Sequence, residues 1–165
     1  MNWANLTTYS RILLIPVVIA CYFSAIESAH LLAAILFTIA SLTDWLDGYL
    51  ARRLHQTSDF GAFLDPVADK LLVTGVLIML VTVYPALLIA TAIIISRELA
   101  VSALREWMAS RGQRDRVAVA YSGKLKTTVQ MIAIIALLLA SPDYPEWILQ
   151  AGYILISVAA ALSIW

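Results

Sequence analysis

Charged residues are scarce in this sequence, and that shortage sets its class. Charged residues fill only 13% of the 165 positions and hydrophobic ones 62%, giving a mean hydropathy of +0.86. Soluble domains carry roughly 25% charged and about 45–50% apolar residues, so a water-soluble globule is excluded and a lipid environment is indicated. The one cysteine, Cys21, sits in an apolar run. It can form no internal disulfide and reads as a small core residue. The two histidines, His30 and His55, fall in separate breaks between apolar runs, where they read as exposed spectators. No His/Cys cluster of the kind zinc selects is present. Eleven basic residues balance eleven acidic ones, so no net field favours nucleic acid, and none is expected as a partner. The N-terminus lacks the charged start and cleavage site of a secretory signal, and its first apolar run is expected to be retained.

What remains is a succession of apolar runs. Spans are predicted at 12–26, 31–50, 61–81, 85–104, 117–140 and 147–165. A hydrocarbon core needs about 20 apolar residues per span. Each span must be helical, because backbone polar groups in lipid pair within their own segment. The expected fold class is therefore all-α, a polytopic membrane protein with six transmembrane helices in a single domain, 1–165. The breaks at 27–30, 82–85 and 141–146 contain no lysine or arginine. All eleven lie toward the opposite ends: Arg11, Arg52, Arg53, Lys70, Arg97, Arg105, Arg111, Arg114, Arg116, Lys124 and Lys126. By the positive-inside rule those ends face the cytoplasm, with both termini inside and Asp143 and Glu146 outside.

Against this apolar background four aspartates stand out. Asp44 and Asp47 end the second span three residues apart, and Asp65 and Asp69 begin the third four residues apart. On helices each pair projects from one face. Two adjacent antiparallel helices would therefore converge four carboxylates, a self-repelling cluster that takes up protons in low dielectric unless cations compensate it. Hard divalent ions do so, and an oxygen-only ligand set favours magnesium, manganese or calcium. Nine residues separate Asp44 from Arg53, about 14 Å of helix at ~1.5 Å per residue, which puts the cluster near the cytoplasmic interface. Gly48, Ala51 and Gly61 are small enough to admit a nucleotide or, equally, a neighbouring helix. Asp59 reads as a solvated loop residue.

Written as a pattern, Asp44, Asp47, Gly48, Ala51, Arg52, Gly61, Asp65 and Asp69 give D-x2-D-G-x2-A-R-x8-G-x3-D-x3-D, eight fixed residues in 26 positions. This resembles the signature of the CDP-alcohol phosphotransferase family at every fixed position. The resemblance implies a six-helix membrane fold, usually homodimeric, that binds one or two divalent ions, Mg²⁺ or Mn²⁺, and a CDP-linked substrate. It implies that Asp44, Asp47 and Asp65 bind metal and the CDP pyrophosphate, and that Asp69 faces the metals and serves as general base. Gly48, Ala51, Arg52 and Gly61 would line the nucleotide site.

Three further segments, 5–11, 97–108 and 123–128, resemble the bacterial members of that family whose acceptor is glycerol 3-phosphate. The implied reaction moves the phosphatidyl group of CDP-diacylglycerol to that acceptor in phospholipid biosynthesis, at the cytoplasmic face of a bacterial inner membrane. Relative to the family a short tail after Trp165 is expected to be missing. A dianionic acceptor beside a carboxylate cluster needs cations, and Arg105, Lys124, Lys126 and Arg97 can supply them. Glu98, Ser102 and Arg105 form one polar stripe at i, i+4 and i+7 on an otherwise apolar helix. Arg97 and Arg105 serve either this purpose or as snorkelling anchors. Asn5, Thr8 and Arg11 contact the lipid or acceptor phosphate, or else anchor the interface. Two other readings stay open: a different acceptor, such as serine, inositol phosphate or phosphatidylglycerol, and a divalent-cation transporter with the aspartates as its ion path.

Overall fold

The computed structural model describes residues 3–54, 59–111 and 121–164, and among these there is no strand. Six α-helices follow in chain order: α1 (Trp3–Tyr22), α2 (Ala29–Leu54), α3 (Asp59–Val83), α4 (Leu88–Ser110), α5 (Tyr121–Leu139) and α6 (Glu146–Ile164). A short 3-10 turn, Pro85–Leu87, leads into α4. Pro85 suits the start of that turn because it has no N–H to leave unpaired.

The helix bounds depart from the predicted spans in places with a local cause. α1 stops at Tyr22 rather than running to 26. There Ser24 donates its hydroxyl to the Cys21 carbonyl at 2.7 Å, and the Ser24 amide bonds the same oxygen at 3.1 Å. A serine that satisfies the backbone locally competes with helix continuation. Asp59 is the first residue of α3 rather than part of a loop. His30 lies in α2, half-buried, with Nδ1 3.3 Å from the Leu138 carbonyl and its ring 4.5 Å from that of Tyr22. It is therefore a packed residue and not an exposed spectator. His55 lies outside the described residues.

Packing joins neighbours in sequence and then closes the bundle. α1 lies against α2 and α3, α5 against α6, α2 and α3, and α4 against α6 and α3. Phe37, Leu72, Leu77, Leu80, Ile134, Leu137 and Ile156 are wholly buried at the centre. Small residues bring the backbones together, as expected where lipid leaves van der Waals contact as the main attraction between helices. A Cβ on Gly152 would fall 2.7 Å from Leu137 Cγ, and one on Gly75 would fall 2.9 Å from Ile15 Cγ2. α5 and α6 in one case, and α1 and α3 in the other, approach so closely only because the glycines are there.

The outside is as apolar as the inside. Leu13, Ile35, Ile78, Ile89, Ile154 and Ile164 are among many large hydrophobics left exposed, an area far beyond what a water-soluble monomer tolerates. The segments Pro85–Ser110 and Glu146–Ile164 are long and apolar enough to cross a bilayer, and Ile12–Tyr22, Ala29–Thr43, Lys70–Val83 and Leu125–Leu139 are shorter apolar stretches. Membrane association follows from this inverted surface.

The bundle has two chemically distinct ends. At one, Tyr84 donates its hydroxyl to the Ala140 carbonyl at 3.1 Å and packs its ring on Tyr153. At the other lie the C-terminal halves of α2, α4 and α6 and the N-terminal halves of α3 and α5. Every described lysine and arginine side chain is on that second end, namely Lys70, Arg97, Arg105, Arg111 and Lys126.

Candidate functional site

The basic end opens into a cavity of about 250 Å³ between α3, α4 and α5. Val73, Leu77 and Ile94 form its apolar floor, while Lys70, Glu98, Arg105, Thr127 and Gln130 supply its polar wall. α4 organises the polar groups. Glu98 pairs with the Lys126 ammonium of α5, and Ser102, one turn on, accepts a hydrogen bond from the Lys70 ammonium of α3. Arg105, the third member of the stripe, stays exposed while lining the cavity. The spacing of Glu98, Ser102 and Arg105 along one helical face thus places Glu98 and Arg105 on the cavity wall, with Ser102 between them bonded to Lys70.

Burial decides what the Lys126 contact means. The side chain of Lys126 is 1% exposed and that of Glu98 is 29% exposed. A buried ammonium without a partner is destabilising by several kcal/mol, and a hydrogen-bonded carboxylate offsets most of that. Arg97 sits beside the pair, 3.9 Å from Glu98 Oε1. It turns away from the cavity to donate from Nε to the Ser163 carbonyl in the last turn of α6 at 3.2 Å. A guanidinium at a helix C-terminus meets both an unpaired carbonyl and the negative end of the dipole. Arg97 therefore ties α4 to α6, and it is not among the lining residues of the cavity. Lys126 is not among the lining residues either: it is buried behind the wall, against Glu98. Lys70 and Arg105 against the Glu98 carboxylate, itself paired with Lys126, leave the wall cationic, suited to an anion with several acceptor oxygens.

The remaining sequence-derived positions are placed by their helices. Asp44, Asp47, Gly48, Ala51 and Arg52 fall on the C-terminal turns of α2, and Gly61, Asp65 and Asp69 on the N-terminal turns of α3. Four residues separate the two helices, a connection that reaches at most about 18 Å when fully extended. Both pairs thus belong to the same end of the bundle as the cavity, and Asp69 lies one helical turn ahead of the cavity-lining Val73. Asn5, Thr8 and Arg11 are on α1 and Lys124 is on α5. The side chains of all these residues lie outside the described ones. Among the described residues no three His, Cys, Asp or Glu side chains come together as a metal site.

Lys70, Thr127 and Gln130 were not singled out by the sequence reading. Lys70 directly follows the last aspartate of the motif, and Gln130 follows Lys126 by four residues in an apolar run. An amide at that spacing from a charged residue inside a membrane helix is the signal that could have found it.

A helical bundle with an apolar exterior and its described basic side chains gathered at one end defines a membrane-associated protein. A family model described as CDP-alcohol phosphatidyltransferase matches residues 1–165. The chain belongs to the CDP-alcohol phosphatidyltransferase family. It is 47% identical to a CDP-diacylglycerol--glycerol-3-phosphate 3-phosphatidyltransferase of Haemophilus influenzae, with 96% of this chain and 85% of the relative covered. Proteins of the same name from Salmonella choleraesuis and Escherichia coli are 45% and 44% identical, each with 99% of this chain and 90% of the relative covered.

Proposed function

We propose that the chain transfers the phosphatidyl group of CDP-diacylglycerol to glycerol 3-phosphate, giving phosphatidylglycerophosphate and CMP. The observation that carries this reading is the full-length likeness to phosphatidyltransferases named for those two substrates. The cationic wall of Lys70 and Arg105 supports the choice of acceptor, since a phosphate dianion needs such a wall and serine does not.

In the mechanism we favour, Asp69 accepts the proton of the glycerol 3-phosphate C1 hydroxyl, the oxygen attacks the lipid-side phosphorus in line, and CMP departs with the bridging oxygen. Arg105, with Lys124 and Lys126, orients the acceptor phosphate, and Arg97 holds α4 in place. Gly48, Ala51, Arg52 and Gly61 line the cytidylyl side. Asp44, Asp47, Asp65 and Asp69 are an all-oxygen donor set that fits Mg²⁺ or Mn²⁺. When bound, such ions neutralise pyrophosphate charge and favour departure of the leaving phosphate. The basic end faces the cytosol in this reading, six helices cross the membrane, and the working unit is a homodimer.

The test is an assay of purified protein with CDP-diacylglycerol and a panel of alcohols, with Mg²⁺, with Mn²⁺ and after EDTA. Turnover should require both glycerol 3-phosphate and a divalent ion. Turnover with serine, inositol phosphate or phosphatidylglycerol instead would move the acceptor assignment. Full turnover in metal-stripped protein would remove the carboxylate role, and divalent-ion flux without transfer would replace the enzyme reading altogether.

A further inference from the structure

The end of the bundle opposite the basic cavity holds a second, larger cavity that the transfer reaction does not use. It encloses about 720 Å³ and is walled by Tyr22, His30, Tyr84, Tyr144, Ser141 and Glu146, with Phe23 and Ser24 beside them. Its chemistry is the reverse of the first: none of the described lining residues is lysine or arginine, and four are aromatic.

The hydrogen bonds at this end determine what the wall can still offer a ligand. The Tyr84 hydroxyl donates to the Ala140 carbonyl, the Ser24 hydroxyl to the Cys21 carbonyl, and the Ser141 hydroxyl to Asp143 Oδ2. A carbonyl only accepts, so the His30 contact with Leu138 O places the imidazole proton on Nδ1 and leaves a lone pair on Nε2. Tyr22 is 5% exposed, and its hydroxyl is buried with no hydrogen-bond partner of normal geometry, although the Tyr84 phenol lies beside it. A buried hydroxyl in that condition is uncommon, and it marks a place where a partner is expected. The Ser24, His30, Tyr84 and Ser141 donors are therefore engaged within the protein, which turns their remaining lone pairs to the cavity beside the aromatic faces, the Glu146 carboxylate and the Tyr22 hydroxyl, whose oxygen can also accept.

We propose that this cavity binds a primary ammonium group, carried by an ethanolamine lipid headgroup or by a small soluble amine. An ammonium brings three N–H donors and no acceptor, the complement of a wall rich in acceptors. Aromatic faces around a cation add an attraction that grows as water is excluded. Glu146 and the nearby Asp143 supply the opposite charge. Glu146 also sits in the first turn of α6, where it complements the helix dipole. The unpartnered Tyr22 hydroxyl is not explained by that role.

Native mass spectrometry of the full chain, released from nanodiscs of mixed phosphatidylcholine, phosphatidylglycerol and phosphatidylethanolamine, tests the proposal. One phosphatidylethanolamine should survive delipidation, while its N-acetylated analogue, equal in tail but uncharged, should be lost. Retention should fall about fivefold or more in Tyr22→Phe and in Glu146→Gln, in line with loss of one charge-assisted contact in a partly desolvated site. Both variants should keep wild-type transferase turnover, which verifies that they are folded. Displacement of the lipid by free ethanolamine would identify the ammonium alone as sufficient, and its failure would identify the lipid as the source. Equal retention of the acetylated lipid, or unchanged retention in both variants, would overturn the proposal.

Discussion

Arg105 and Lys126 are cations at the same end of the bundle, yet their surroundings differ. Arg105 is exposed and lines the cavity, free to close on an incoming phosphate. Lys126 is buried and already paired with Glu98. Replacing Arg105 by alanine should raise the KM for glycerol 3-phosphate about tenfold or more while leaving that for CDP-diacylglycerol nearly unchanged, as expected for a contact to one substrate only. Steady-state kinetics with each substrate varied checks this. Asp69→Asn should keep CDP-diacylglycerol binding in Mn²⁺ but lower kcat by at least about 10²-fold, the usual scale for loss of a general base. A binding measurement set beside turnover separates that outcome from loss of a metal ligand, in which both fall together. The sequence made the candidate residues legible because charge inside apolar runs is rare. It could not reveal their partners: Glu98 and Lys126 are 28 residues apart and His30 and Leu138 are 108 apart, and no local pattern encodes such pairings.

At the level of helices, close approach decides stability. Gly152 of α6 meets Leu137 of α5 where an added methyl would lie 2.7 Å from two side-chain carbons and 3.4 Å from a backbone nitrogen. Gly152→Ala should therefore destabilise the bundle by about 1–3 kcal/mol, the range for overpacking a well-filled contact. A lowered midpoint in a thermal-shift assay in detergent would register it. Adding Leu137→Ala should recover part of the loss, because neighbouring substitutions couple through the space they share. Helix existence was legible from hydropathy alone, since runs of apolar residues in a membrane have no alternative to helix. Helix ends were less so. The stop at Tyr22 depends on one serine hydroxyl turning back onto Cys21, a choice that hydropathy does not register.

For the whole molecule, the segregation of charge predicts an orientation. In a Cys21→Ala background, Asp143→Cys should react with a membrane-impermeant maleimide on intact cells, while Arg111→Cys should react only after permeabilisation. The reverse pattern would invert the bundle and put the cationic cavity outside. The same layout bears on how the protein is made. α4 carries Arg97 and Glu98 into the membrane before their partners exist, because Lys126 follows Glu98 by 28 residues and Ser163 follows Arg97 by 66. At about 5–20 residues per second of synthesis, α4 waits about 1–6 s for the first partner and about 3–13 s for the second. During that interval its polar end must remain at the aqueous boundary or beside the insertion machinery. The walls of the cationic site are consequently all present once α5 is made, and the final helix, which contributes no side chain to them, supplies the last anchor of α4 through Arg97.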